Sequence, residues 1–137
     1  MAYINPSKLD TWATPKWLFD ALNAEFCFEL DACATEKTAK CSRYFSMQED
    51  AFLQSWSKST FCNPPYGKPI EKWILKARQE AEKGNRTVML LPARTDSGWF
   101  HDYCLSGKSE IRFLRGRLCF DDGKGRAPFP SMVVIFR

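Results

Sequence analysis

Ser59-Thr60-Phe61-Cys62-Asn63-Pro64-Pro65-Tyr66-Gly67 changes backbone character halfway along. Ser59 to Cys62 reads as a short buried strand. The two prolines offer no N–H and fix φ, so they cannot continue a central ladder, and a stiff loop must begin at Asn63. Pro69 then starts a helix with Ile70, Trp73, Ile74 and Ala77 on one face, a charged face expected to be solvated, and Gly84 as its stop. Thr87-Val88-Met89-Leu90-Leu91 is a second buried strand, ended by Pro92. Strand, helix, strand is the unit of a parallel sheet, whose ligands bind beyond the carboxyl ends of the strands.

Toward the N-terminus, Thr14 and Pro15 read as the N-cap and first residue of a helix running to about Ala24, with Leu18, Phe19, Leu22 and Phe26 at helical spacing. Phe28 to Ala32 is strand-like and carries Asp31 near its end, and the polar stretch from Thr35 to Arg43 is a loop with some helical turn. Toward the C-terminus, Asp96 can cap a helix through about Leu105. Ile111 to Leu114, Arg117 to Phe120 and Met132 to Phe136 read as three further strands, separated by Asp121-Asp122-Gly123-Lys124-Gly125 and by Pro128 and Pro130. The fold expected is α/β, one domain over residues 1–137, with an open, mostly parallel sheet and a β-rich C-terminal end. Asp31, Asn63 and Pro92 would share its carboxyl rim.

Bulk properties narrow the function. No segment approaches the roughly 20 apolar residues of a membrane span, and Met1-Ala2-Tyr3-Ile4-Asn5-Pro6 lacks a signal-like pattern, so a cytoplasmic protein with no membrane partner is expected. The six cysteines form no Cys-x-x-Cys and read as reduced, mostly buried thiols. A metal site is not expected, since the single histidine, His101, has only Cys104 nearby. Residues 1–67 carry 6 basic and 8 acidic residues, net −2, and residues 68–137 carry 14 and 8, net +6, which together give the chain's +4. Such asymmetry suits a polyanion bound on one side, or an ordinary solvated surface.

The tetrapeptide Asn63-Pro64-Pro65-Tyr66 suggests a chemistry. Methylating a base amine needs acceptors that orient its two protons, and the Asn63 side-chain carbonyl and the Pro64 main-chain carbonyl can serve, with Pro64 and Pro65 stiffening the loop. Tyr66 offers a ring for stacking on an unpaired base. A rigid turn after a strand is the plain alternative.

At this point the chain resembles the phage-type DNA N6-adenine methyltransferases. The likeness runs through Asp10-Thr11-Trp12-Ala13-Thr14-Pro15, Leu30-Asp31-Ala32-Cys33-Ala34 and Asn63-Pro64-Pro65-Tyr66-Gly67, then Leu91-Pro92-Ala93-Arg94-Thr95-Asp96, Gly116-Arg117-Leu118-Cys119-Phe120 and Phe129-Pro130-Ser131. It implies a compact Rossmann-like methyltransferase fold, S-adenosylmethionine as methyl donor, and an adenine flipped from double-stranded DNA as acceptor, in a bacterial host cell, with a phage or prophage as one source of the gene. It also implies cofactor contacts from Trp12, Thr14 and Pro15, where a helix N-terminus can receive a carboxylate. Asp31, Ala32, Cys33 and Asp50 would complete the cofactor side, although Asp31 could instead be a solvated strand-end acid. Cys33-Ala34-Thr35-Glu36-Lys37 replaces the usual glycine-rich turn, little room for an extra strand separates Asp31 from Asp50, and no separate target-recognition domain is expected.

Arg94, Arg115, Arg117, Lys124 and Arg126 are candidate phosphate contacts, with a helix cap at Arg94-Thr95-Asp96 and a solvated basic hairpin as the alternatives. No obligate protein partner is inferred. Two rival functions stay open: methylation of a cytosine amine or glutamine side chain, and a catalytically silent DNA-binding module.

Overall fold

The computed structural model describes residues 11–105, 107–120 and 125–137, so Asp10 and the turn residues 121–124, Lys124 included, lie outside the described residues. Its five-stranded sheet has the order β1-β2-β3-β5-β4, with β1 Leu30–Asp31, β2 Ser59–Cys62, β3 Arg86–Pro92, β4 Ser109–Phe113 and β5 Ser131–Phe136. The pairs β1–β2 and β2–β3 are parallel, whereas β5 runs antiparallel to both β3 and β4. Four strands therefore point one way, and two of the four pairings are antiparallel, a more mixed sheet than expected.

Two helices cover opposite faces. Helix α1, Lys16–Phe26, buries Leu18, Phe19, Leu22 and Phe26, and Phe19 meets Phe61 of β2 edge-on at 5.3 Å. It begins one residue later than expected: Pro15 is the N-cap, with no side-chain cap, and Thr14 is used elsewhere. It ends at Cys27, left-handed at φ 50°, and the Phe28 N–H donates to Asn23 Oδ1 at 2.8 Å. Helix α2, Ile70–Glu82, buries Ile70, Trp73, Ile74, Ala77 and Ala81 in the apolar stripe its sequence spelled out. Gly84 closes it at φ +90°, a conformation a glycine reaches without a Cβ penalty. Covered on both sides, β3 from Thr87 onward and all of β5 are buried, as continuous apolar runs require.

Five details depart from the sequence reading. β1 is two residues long, though Glu29 N–H to Ser59 O and Ala32 N–H to Phe61 O extend its contact with β2. On its other edge residues 43–45 pair with it, through Asp31 N–H to Arg43 O and Phe45 N–H to Asp31 O, where there was little room for a further strand. Pro92 does not end β3 but belongs to it, opposite Ser131. In place of a helix capped by Asp96 there is a π turn at Phe100–Cys104, and the side chain that accepts from its Phe100 N–H is Ser97. Residues 117–120 form no strand, only a bridge between Cys119 and Arg126.

The charged face of α2 gives a further correction. Glu80 is wholly buried and Lys76 nearly so, because the segment before β2 folds over them. Glu80 accepts from the Trp56 N–H at 2.7 Å, Asn85 Nδ2 at 3.0 Å, Lys76 Nζ at 3.0 Å and Lys83 Nζ at 3.1 Å. Burial pushes its carboxyl up, but these hydrogen bonds outweigh that and hold it down at about 2. A folded value below the ordinary 4.5 means that stability is present above about 4.5 and lost as pH falls toward 2. Glu80→Ala should cost about 3–5 kcal/mol by stranding Lys76 and two amide donors. Denaturant titrations should show this at pH 7, and Glu80→Gln should flatten the acid loss.

Candidate active site

Because β1, β2 and β3 are parallel, their carboxyl ends place Asp31, Asn63 and Arg94 on one rim. β4 ends and β5 begins at that same rim, which adds residues 114–120 and 125–130.

The centre of the rim is Asn63. Its Nδ2 donates to the Trp12 carbonyl at 2.5 Å and to Thr14 Oγ1 at 2.9 Å. Thr14, the expected helix cap, is buried and engaged here instead. The Trp12 carbonyl can only accept, so the amide's orientation is fixed by chemistry. Its Oδ1 is buried without a hydrogen-bond partner, a condition shared among the described residues only by Arg86 Nε and Ser131 Oγ. A buried unpaired acceptor costs about 1–3 kcal/mol, so it marks where a donor is missing.

Pro64 and Pro65 are buried, and so is Tyr66. The Tyr66 hydroxyl donates to the Leu90 carbonyl of β3 at 3.0 Å, and burial pushes the phenol well above its ordinary value, so it stays protonated. Its ring meets Phe129 edge-on at 5.5 Å. Phe129 also packs on Trp12 at 5.2 Å and Phe120 at 6.2 Å, and Trp12 on Phe120 at 5.3 Å. The sequence reading named Trp12 and Tyr66 but missed that Phe120 and Phe129 join them; the only signal was that both rings sit in the rim segments carrying the family likeness.

Asp31 is not a solvated strand-end acid. It is 2% exposed, and its carboxylate accepts from Lys40 N–H at 3.1 Å and, more weakly, from Cys33 N–H at 3.4 Å. Burial dominates and raises its pKa to about 7, against the lowering effect of these two donors. Ala32 is buried behind it and Cys33 is half-buried. Asp50 stands apart on the chain, left-handed at φ 46°, with its carboxylate capping the 3-10 turn Ala51–Leu53 through the Phe52 N–H.

Of the six thiols, Cys62 and Cys104 are buried while Cys27 and Cys119 are exposed, fewer buried than expected. Burial raises Cys41 to about 11 and Cys104 to about 12, and drives Cys62 higher than its ordinary value, so these three are poor nucleophiles at neutral pH.

Arg94, Arg115, Arg117 and Arg126 are all exposed on the rim loops. They come from two connections that leave or enter the sheet at this rim: Arg94 from the one after β3, and Arg115, Arg117 and Arg126 from the one between β4 and β5.

Residues 3–137 match the family model described as DNA N-6-adenine-methyltransferase (Dam). A DNA N-6-adenine-methyltransferase of Escherichia phage T1 is 32% identical over 130 residues, covering 92% of this chain and 54% of that protein. A DNA N-6-adenine-methyltransferase of Haemophilus phage HP1 (strain HP1c1) is 33% identical over 141 residues, covering 95% of this chain and 80% of that protein. The chain thus spans about half the length of the T1 relative.

The Asp31 environment has a pH signature. With its folded pKa raised from 3.8 to about 7, the native state favours the protonated acid, so this contribution is full below about 3.8 and lost as pH rises to about 7. Denaturant unfolding between pH 4 and 8 should show that loss in the wild type. Asp31→Asn should abolish the slope in this window, whatever it does to absolute stability, and an unchanged slope would place the titrating group elsewhere.

Proposed function

Because the chain belongs to the DNA N-6-adenine-methyltransferase (Dam) family, we propose that it methylates the exocyclic amine of an adenine flipped out of double-stranded DNA. The observation that carries this reading is the buried, unpartnered Oδ1 of Asn63. An amine proton donated to it would satisfy the orphaned acceptor, and the Pro64 carbonyl would take the second proton. Held this way, the amine nitrogen turns its electron density along one fixed direction. Both acceptors are positioned before substrate arrives, Asn63 by Trp12 and Thr14 and the loop by its two prolines.

S-adenosylmethionine, the methyl donor of this reading, supplies an electrophilic methyl group when bound. The residues present fit it on one side: Asp31 is a desolvated carboxylate with two weakly placed amide donors, and a cationic or hydroxyl-bearing partner would offset its burial. Asp31, Ala32, Cys33 and the segment Trp12, Thr14 and Pro15 would hold the donor on a Rossmann-like frame. Asp50, engaged in its turn, would contribute an edge contact. With the thiols of Cys41, Cys62 and Cys104 held protonated, direct transfer without a covalent enzyme intermediate is favoured, and the amine's spare proton leaves to solvent.

Tyr66 and Phe129 would form the walls between which the flipped base enters. Since the two rings now touch, entry requires Phe129 to swing aside. Arg94, Arg115, Arg117 and Arg126 would take the phosphates around the opening. These exposed arginines favour DNA over a glutamine side chain, and the orphaned acceptor favours an active enzyme over a silent binding module.

Incubation of unmethylated duplex DNA with labelled donor, followed by nucleoside analysis, should yield N6-methyladenine; label in cytosine or protein alone would refute the reading. DNA affinity should fall steeply with salt, and the double variant Arg115→Ala, Arg117→Ala should weaken binding and reduce the slope of log affinity on log salt by about 2.

A further inference from the structure

Ser131 begins β5 at the catalytic rim, 1% exposed, and its Oγ has no hydrogen-bond partner. Its backbone is fixed from both sides, because its carbonyl accepts from Leu114 N–H at 3.1 Å and the carbonyl of Pro130 accepts from Ala93 N–H at 2.8 Å. A hydroxyl buried in so rigid a place and left unpaired carries a penalty without return inside the protein.

Its position explains what the penalty is for. The pairings Phe61 with Val88, Val88 with Ile135 and Pro92 with Ser131 put Ser131, Val133 and Ile135 on the sheet face covered by α1. Asn63 belongs to that same face, since its amide meets Trp12 and Thr14 on the approach to α1. Counting two strands across at roughly 4.8 Å and two residues along at roughly 3.3 Å puts the Asn63 and Ser131 Cα atoms roughly 12 Å apart on that face. Phe129, two residues before Ser131, meets Tyr66 edge-on at 5.5 Å, so a base that reaches both groups enters as Phe129 swings aside. Arg86 Nε, the other orphaned atom, has a different explanation: its guanidinium already donates to Phe26 O and Ser59 Oγ at the opposite end of β3.

We propose that the Ser131 hydroxyl donates a hydrogen bond to a ring nitrogen of the target adenine, so that amine and ring are read at once by two groups the fold leaves unpaired. This rests on the reading of Asn63 as the amine acceptor. Adenine carries a ring nitrogen on either side of its amine, N1 toward the pairing edge and N7 toward the other, whereas cytosine carries one on a single side. A fixed donor beside the amine therefore contributes to base choice as well as to alignment.

The test uses a synthetic duplex whose methylated adenine has been located with the wild-type chain. Ser131→Ala should lower kcat/KM on this duplex about tenfold, while leaving S-adenosylmethionine affinity unchanged and the melting temperature equal or higher, since an unpaired hydroxyl has been removed. Ser131→Cys, of similar volume and a weaker donor, should fall between the two. Placing 7-deazaadenine or 1-deazaadenine at the target should cost the wild type a similar factor for one of the two, and that analogue should cost Ser131→Ala nothing further. Wild-type kcat/KM in Ser131→Ala, or equal penalties from both analogues in wild type and variant, would overturn the proposal. Failure of the wild type to methylate any adenine would instead refute the reading of Asn63 on which it rests.

Discussion

The two hydrogen bonds from Asn63 Nδ2 to the Trp12 carbonyl and Thr14 Oγ1 hold the site together. They tie the loop after β2 to the segment entering α1, and they use up the amide's donors while leaving its acceptor bare. An asparagine is needed for this: a carboxylate would bring a lone pair against the Trp12 carbonyl, and an aliphatic side chain would neither clamp nor accept. Thr14 serves the clamp rather than the helix, which is why α1 begins on an uncapped proline.

Around that clamp the rim collects groups whose hydrogen-bonding or charge is incomplete within the chain. Asn63 Oδ1 and Ser131 Oγ lack partners, and Asp31 is desolvated enough to titrate near neutrality. Each costs stability that a bound ligand could return, a common arrangement at functional sites. The compensation lies elsewhere, in the buried β3 and β5 and in the fourfold-bonded Glu80 beneath the opposite face. Strand residues at Asp31 and Ser131, and a proline-stiffened loop at Asn63, thus place the groups that are left unsatisfied.

Much of the frame was legible in the sequence because periodicity reports burial. β2, β3, β5 and α2 were read nearly to their ends, since each buries a run or stripe long enough to leave a pattern. The π turn at 100–104 escaped because its apolar residues are also compatible with an α-helix, and Arg117 to Phe120 alternates like a strand while forming only one bridge. In the site, Asn63 stood out through its neighbours Pro64 and Pro65. The burial of Asp31, Glu80 and Ser131 did not stand out, since it depends on chain distant in sequence folding over them. Likewise, Phe120 and Phe129 become a wall only when the connection into β5 brings them to Trp12 and Tyr66.

The claim on which the account turns is that Asn63 Oδ1 aligns the amine that is methylated. Single-turnover methylation by Asn63→Ala, with enzyme saturated by donor and its fold verified by melting, tests it most directly. The account predicts a methyl-transfer rate lower by about 10²–10³, the loss expected for one preorganised hydrogen-bonding group, with donor affinity within about threefold of wild type. A transfer rate close to wild type would contradict it.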